Sequence, residues 1–95
     1  MTTEIPAFEA EFEIVNDLGL HARAAVKLTQ AATRFPCAVT ASRGDQFANA
    51  KSVMGVLLLC GSKGTRIKIR AEGERAEEAV SAIGELIASK FGEGH

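Results

Sequence analysis

Strict alternation of apolar and charged residues in two separate stretches is the feature that most limits how this chain can fold. Residues 8–14 alternate apolar side chains with three glutamates, and residues 65–71 alternate apolar side chains with three cations. A period of two places each set on its own face of a β-strand. If the two strands are neighbours, their opposite charges pair across the sheet. Two unrelated solvated faces fit the sequence equally well.

Two other stretches repeat apolar residues at the spacing of a helix. The first runs from Ala22 to about Phe35, where Pro36 stops it. The second runs from Arg75 to Phe91 and carries a continuous apolar stripe. Both are predicted to be amphipathic helices that pack one face on a core.

The middle of the chain predicts two strands and a short helix. Residues 37–42 alternate, Gly44-Asp45 suits a two-residue hairpin turn, and a third strand follows over about Gln46 to Asn49. Residues 52–59 are ambiguous by periodicity, but Ser52 as an N-cap favours a helix. The complete order predicts an α+β fold, with helices on one face of a mixed or antiparallel four-stranded sheet.

Size and composition indicate a single globular domain over residues 1–95. The net charge of −1 argues against a protein that grips nucleic acid. The first residues lack the pattern of a signal peptide and the longest apolar run is too short for a membrane span, so we expect a cytoplasmic protein. Residues 1–6 are predicted to be a loose lead-in. Residues 92–95 are predicted to be a frayed tail, with His95 solvated and without a role.

The two cysteines, Cys37 and Cys60, lie in apolar contexts and in no metal-ligand spacing. Both are expected to be buried thiols that behave as small apolar side chains.

The stretch Leu-Gly-Leu-His-Ala-Arg-Ala-Ala at residues 18–25 is the best candidate for chemistry. His21 lacks the company that a metal ligand needs, and a turn after Gly19 is a poor place to bury it. At a helix start it would meet unpaired backbone N–H groups and a dipole that favours anions, with the Arg23 guanidinium beside it. These residues suit acceptance of a phosphoryl group, while an incidental histidine stays open on the residues alone.

The motif Gly19-Leu20-His21-Ala22-Arg23 resembles the active-site motif of HPr, the histidine phosphocarrier of the phosphoenolpyruvate-dependent phosphotransferase system. A second match at residues 49–56 is similar to the HPr segment that holds the regulatory serine, and a third lies at residues 61–64. The resemblance covers about residues 8–91.

The resemblance implies an HPr-like open-faced β-sandwich, with a four-stranded antiparallel sheet in the order 1-4-2-3 and three helices on one face. It implies that phospho-enzyme I phosphorylates His21 at Nδ1 and that the group passes to an enzyme II A-type domain. Arg23 would stabilise the phosphate, and Ala22 would offer a helix-terminal amide. Such a protein is a monomeric carrier with no metal or cofactor, rather than an enzyme with its own small-molecule substrate.

Ala24 departs from the family pattern, in which most members carry proline at this place. Proline is tolerated in a first helical turn because the N–H that it lacks has no helical partner there. Replacement of this proline by alanine should therefore not abolish the site. Alanine here resembles HPr-like carriers of the nitrogen-related branch. A mainly regulatory HPr-like protein, in nitrogen or carbon signalling, is therefore the alternative function.

Ser52 is at least a predicted helix cap, and the resemblance adds a regulatory role. The run Lys51 to Gly55 is similar to the sequence that HPr kinase/phosphorylase recognises. Leu20, Val53 and Met54 are expected to form an apolar docking surface beside His21. A phosphate on Ser52 would then weaken docking to enzyme I by repulsion.

Two other classes of function compete with the carrier. The GXXG run from Gly61 to Gly64 is the pattern of the loop that clamps RNA in KH domains, although here it precedes a predicted strand. A hydrolase that uses Ser52 and His21 is disfavoured because no acidic residue is placed to orient the imidazole and no nucleophile elbow is present.

Overall fold

The computed structural model describes residues 5–95. It contains four strands, three α-helices and a final 3₁₀ turn. In chain order they are β1 (Ala7–Glu13), α1 (Ala22–Thr33), β2 (Ala38–Arg43), β3 (Gln46–Asn49), α2 (Val53–Leu58), β4 (Arg66–Glu72), α3 (Ala76–Ala88) and the 3₁₀ turn Lys90–Gly92. All seven predicted elements are therefore present.

The four strands form one antiparallel sheet in the order β1-β4-β2-β3. The inward side chains of the central strands, including Val39, Ile67 and Ile69, are at most 2% exposed beneath the helices. The other face of the sheet is open to solvent. This is the open-faced sandwich that the sequence predicts, and the order 1-4-2-3 is confirmed.

Charge pairs between β1 and β4 occupy the open face of the sheet. Glu9 lies opposite Arg70 in the register and accepts a bond from its guanidinium at 2.6 Å. Lys68 contacts the same glutamate at 3.2 Å, and Arg66 donates to Glu11 at 2.5 Å. Since a slip of one residue would place these charges in the core, the pairs support the register of the two strands. The prediction that they are neighbours is confirmed.

Small side chains let α3 pack closely on the sheet and α1 pack closely on α2 and α3. Ala24, Ala25 and Ala32 of α1 are completely buried. Gly84 of α3 lies so close to Phe12 of β1 that a Cβ there would lie 2.5 Å from the ring's Cζ. The amphipathic faces predicted for both helices are thus confirmed. No helix within the described residues is long and apolar enough to cross a membrane.

The structure corrects three details of the sequence analysis. Cys37 is buried as expected, but Cys60 is exposed because it lies in the turn after α2, at a φ of 52°. The last helix ends at Ala88, and Phe91 follows it in the left-handed region. Residues 1–4 of the predicted lead-in lie outside the described residues. Pro6 is not loose, because its carbonyl accepts the N–H of Gly73 at 2.7 Å.

Two loops meet at one edge of the core and fix the place where α1 begins. Leu20 donates its N–H to the carbonyl of Gly61 at 2.8 Å, and Gly64 donates to Ile14 at 2.7 Å. Gly19 has a φ of +64°, and a Cβ there would lie 2.5 Å from the Gly61 carbonyl oxygen. Only glycine fits here, because any other residue would have a strained left-handed backbone and a Cβ that collides with the Gly61 backbone.

We therefore expect Gly19→Ala to lower the free energy of unfolding by about 2–5 kcal/mol, the sum of left-handed strain and overpacking. Gly44→Ala is the matched control, since Gly44 has a φ of +59° but open space around its Cα. The control should lose only about 1–2 kcal/mol. Urea denaturation of both variants checks this. Equal losses in the two would contradict the close approach.

Candidate functional site

His21 occupies the N-cap position of α1. Its backbone is extended, with φ −76° and ψ 177°, and its carbonyl accepts the N–H of Ala25 at 2.9 Å. The imidazole takes no part in capping the helix, and the side chain is 26% exposed. The sequence-predicted nucleophile is thus at the helix start and reachable from solvent.

The start of α1 carries an electrostatic field that no acidic residue of the helix cancels. Ala22, Arg23 and Ala24 form the first turn, and N–H groups at such positions have no partner within the helix. No acidic side chain occupies this turn, whereas the first turn of α3 carries two glutamates. The start of α1 therefore favours a negatively charged group.

Cations add to this field around an open depression of 580 Å³. Arg23 and Lys27 line it together with His21 and His95. Arg23 is exposed and forms no ion pair or side-chain hydrogen bond with any residue that the structure describes, so its guanidinium is available to an incoming anion. His95 is exposed, as predicted.

An acidic residue contacts the imidazole, contrary to the sequence analysis. The carboxylate oxygen Oε2 of Glu93 meets Nε2 of His21. The other carboxylate oxygen, Oε1, accepts a bond from Nδ2 of Asn16 at 2.8 Å, and the same Nδ2 donates to the carbonyl of Gly19 at 2.9 Å. Residues 92–95 are therefore not simply a frayed tail, because Glu93 is held against the site with only 9% of its side chain exposed.

The segment after α3 is anchored before it reaches His21. Phe91 is completely buried, and Lys27 donates to its carbonyl at 2.5 Å. Lys90, Phe91 and Gly92 have φ values of 58°, 54° and 74°, which turn the chain back toward α1. Asn16 and Glu93 are the site residues that sequence reasoning missed. The only available signal was Phe91, an aromatic residue just before a supposedly frayed stretch.

The charge state of Glu93 follows from two opposing effects. Burial by itself would raise the pKa of this carboxyl group. The hydrogen bonds from His21 and Asn16, with the nearby charge of Lys27, outweigh burial and hold the pKa below its ordinary value. Glu93 is thus an ionised acceptor at neutral pH.

Ser52 caps α2 as predicted. Its hydroxyl oxygen accepts the N–H of Gly55 at 3.1 Å, and the side chain is half-buried. Lys51 donates from its ammonium group to the carbonyl of Phe35 at 2.8 Å, which ties the start of α2 to the end of α1. The serine therefore lies at an ordered helix start rather than on a loose loop.

Exposed apolar side chains lie on α2 and before α1. Met54 is 66% exposed, Leu58 68% and Leu18 64%, while Val53 is half-buried. Leu20 was predicted to belong to this surface, but it is only 6% exposed. It packs under the loop, so that a Cβ on Gly61 would lie 2.8 Å from its Cδ1. Leu58 takes its place as an exposed residue that the sequence analysis did not name.

The competing sites gain no support from the structure. The loop from Gly61 to Gly64 joins α2 to β4 instead of joining two helices, and its Lys63 is paired with Asp17 at 2.8 Å. Ser52 is engaged as a helix cap and makes no hydrogen bond to His21. His21 does have an acidic partner, Glu93, but no serine or threonine among the described residues lines the depression at this site, so a hydrolase is not supported.

Comparison with known proteins places this geometry in a family. The family model described as the PTS HPr component phosphorylation site matches residues 8–89. The chain belongs to the HPr family. This confirms the resemblance and, at the level of the family, a phosphocarrier role in the phosphotransferase system.

Sequence relatives and a solved structure both align with nearly the whole chain. The phosphocarrier protein HPr of Pseudomonas aeruginosa is 45% identical over 85 residues, which cover 88% of this chain and 94% of that protein. The phosphocarrier protein NPr of Shewanella violacea is 41% identical over 85 residues, covering 90% and 93%. The crystal structure of HPr-C-His from Thermoanaerobacter tengcongensis aligns with a TM-score of 0.87 at 43% identity, covering 90% and 97%.

The lowered pKa of Glu93 gives this HPr-family fold a pH-dependent contribution to stability. A group with a lowered folded-state pKa adds stability above its unfolded pKa and loses it as the pH falls through the folded value. We expect Glu93→Gln to lower the free energy of unfolding at about pH 7 and to match the parent at about pH 2. Urea denaturation at both pH values checks this. A deficit that persists unchanged in acid would contradict a contribution from the carboxylate charge.

Proposed function

We propose that this chain is a histidine phosphocarrier that accepts a phosphoryl group on Nδ1 of His21 from phospho-enzyme I. It then passes the group to a histidine of an enzyme II A-type domain. The observation that carries this proposal is a solvent-accessible imidazole at a helix start whose own first turn has no acidic residue, in a chain of the HPr family. Phosphoryl transfer depends mainly on alignment and on stabilisation of charge, and this site supplies both.

Neighbouring residues have distinct roles in the proposal. Arg23 presents five donors and a permanent charge to the phosphoryl oxygens. The amide of Ala22 is one of the unpaired groups at the helix start. Ala24 takes the place of the usual proline, and its completely buried methyl group packs in the core. An N–H in the first turn needs no helical partner, so alanine serves there as well as proline does.

Partners dock, in this proposal, on the exposed apolar residues Leu18, Met54 and Leu58, with half-buried Val53 beside them. The turn that ends α2 reaches Gly61, which is hydrogen-bonded to Leu20 immediately before His21. The apolar surface is therefore joined to the loop of the phosphorylated histidine. Enzyme I and the enzyme II A-type domain would use it in turn.

Incubation with phosphoenolpyruvate and enzyme I tests the carrier role. Intact-mass analysis should show one acid-labile phosphoryl group on the parent and none on His21→Ala. Arg23→Ala should acquire the group about 10–1,000-fold more slowly, because one charged donor to the transferring group is lost. Glu85→Ala, an exposed change on α3, serves as the control. An unmodified parent in the presence of its own active enzyme I would overturn the proposal.

Regulation at Ser52 is the second part of the proposal. The serine lies at the start of α2, next to half-buried Val53 and exposed Met54. A phosphate placed there by HPr kinase/phosphorylase adds about −1.5 to −2 charges beside the docking surface. Its oxygens can still accept the N–H of Gly55, so the helix cap survives while the surface becomes strongly negative.

Two substitutions separate charge from capping at this position. Asn and Asp are equally good N-caps, so Ser52→Asn and Ser52→Asp should be equally stable. We expect only Ser52→Asp to slow phosphorylation by enzyme I, because only this variant adds a negative charge beside the docking surface. The expected loss of rate is about 10-fold, which corresponds to roughly 1.4 kcal/mol of repulsion. Initial rates of phosphoryl uptake measure this. Equal rates for the two variants would contradict regulation by charge.

The nitrogen-related carrier branch, with a mainly regulatory role, is the second candidate function. The alanine at position 24 favours it, whereas the 41% identity to an NPr protein is lower than the 45% identity to the HPr of Pseudomonas aeruginosa. Both branches use the same histidine chemistry, so the experiments on His21 and Arg23 apply to either. Comparison of phosphoryl transfer to sugar-specific and nitrogen-related enzyme II A-type domains distinguishes the two.

A further inference from the structure

We infer that Glu93 is a positioning residue that holds the proton of His21 on Nε2 and so leaves the lone pair of Nδ1 free to attack phosphorus. This inference rests on the proposed function, because it explains how His21 is prepared for phosphoryl transfer. The sequence predicts only a frayed tail for the segment after α3.

The contact itself determines which nitrogen carries the proton. A carboxylate can only accept hydrogen bonds, and Glu93 is ionised at neutral pH because its pKa is held below the ordinary value. The nitrogen that meets it must therefore be the donor. In a neutral imidazole, a proton on Nε2 leaves Nδ1 unprotonated.

Asn16 fixes the carboxylate in that orientation. Its Nδ2 donates to Oε1 of Glu93 at 2.8 Å and to the carbonyl of Gly19 at 2.9 Å. The opposite orientation of the amide would set its oxygen against two acceptors, so the network assigns the donor unambiguously. Asn16 is completely buried and lies in the same loop as Gly19, so the support for Glu93 comes from the rigid part of the fold.

The segment that delivers Glu93 is held in a backbone conformation that needs compensation. Lys90 and Phe91 both lie in the left-handed region, which is unfavourable for residues with a Cβ. Burial of Phe91 and the bond from Lys27 to its carbonyl hold this turn in place. The core thus fixes the direction in which the chain leaves α3, and Glu93 follows two residues after the buried ring.

The transfer step balances with the proton retained on Nε2. The lone pair of Nδ1 forms the new N–P bond while the N–P bond to the enzyme I histidine breaks and its electron pair returns to that nitrogen. The ring of His21 becomes positively charged, and the Glu93 carboxylate offsets that charge. In the onward transfer the Nδ1–P bond breaks and His21 leaves as a neutral imidazole, so the site neither takes up nor releases a proton.

Nitrogen-15 NMR of the unphosphorylated protein tests the assignment directly. In its neutral imidazole form, the parent should show a protonated Nε2 and an unprotonated Nδ1 in His21. Glu93→Ala should give a mixture of the two tautomers and should take up phosphate from enzyme I about 10-fold more slowly. Glu93→Gln has a single oxygen for the two donors that Glu93 accepts from, Asn16 and His21, so it should give an intermediate ratio of the tautomers and lose only part of the rate.

The control and the outcomes separate this inference from the proposed function. Glu85→Ala removes an exposed carboxylate from α3 and should change neither the tautomer nor the rate. A Glu93→Ala protein that keeps both the parent tautomer and the parent rate would overturn the inference while leaving the carrier role intact. If enzyme I phosphorylates no variant, including the parent, the carrier role fails, and the tautomer spectra still decide whether Glu93 positions the proton. Unchanged amide spectra away from residues 16–23 and 90–95 show that each variant is folded.

Discussion

The close approach of Gly19 to the backbone of Gly61 and Ser62 decides where α1 begins, and the rest of the site depends on that position. A Cβ on Gly19 would collide with this backbone, and the Leu20–Gly61 hydrogen bond closes the same contact. One loop therefore sets the register of His21 relative to both α2 and α3. A site built on such a junction keeps its geometry, because shifting it would disturb packing on two sides.

Electrostatics then gives this helix start its chemical character. The first turn of α1 has unpaired N–H groups and no acidic residue, and Arg23 and Lys27 line the adjacent depression. Glu9 and Glu11 of the sheet, by contrast, are paired with cations on the open face. A chain with a net charge of −1 thus keeps two cations beside His21, while the carboxylate that reaches the site, Glu93, is directed to Nε2 of that ring.

Two conformational constraints complete the site from the far end of the fold. The left-handed backbone at Lys90 and Phe91 is maintained by burial of an aromatic ring, and it turns Glu93 toward His21. Asn16 meets Glu93 from the opposite side. Glu93 thereby bridges Asn16 and the imidazole of His21, both of which lie more than 70 positions away in the chain. In the function proposed above, the helix start attracts the phosphoryl group and the Glu93 contact orients the ring of His21.

Local sequence patterns were enough to predict the strands and helices and to single out His21 as a candidate site residue. Period-two alternation marked β1 and β4, and a two-residue turn at Gly44-Asp45 marked the hairpin. The loop Gly19-Leu20-His21 marked the helix start. These features are local, so each is visible within a few neighbouring residues. Motif resemblance supplied the strand order, which no local pattern contains.

The residues that surround His21 depend on long-range packing. Leu20 was expected on the surface and is buried, because it fills the space beneath Gly61. Cys60 was expected inside and is exposed, because the turn after α2 directs it outward. Glu93 was assigned no role at all, since its contact with His21 depends on a turn that a buried Phe91 anchors after α3 has ended. Contacts between residues far apart in the chain leave no periodic signal, and this is why the helix start could be read from the sequence while its acidic partner could not.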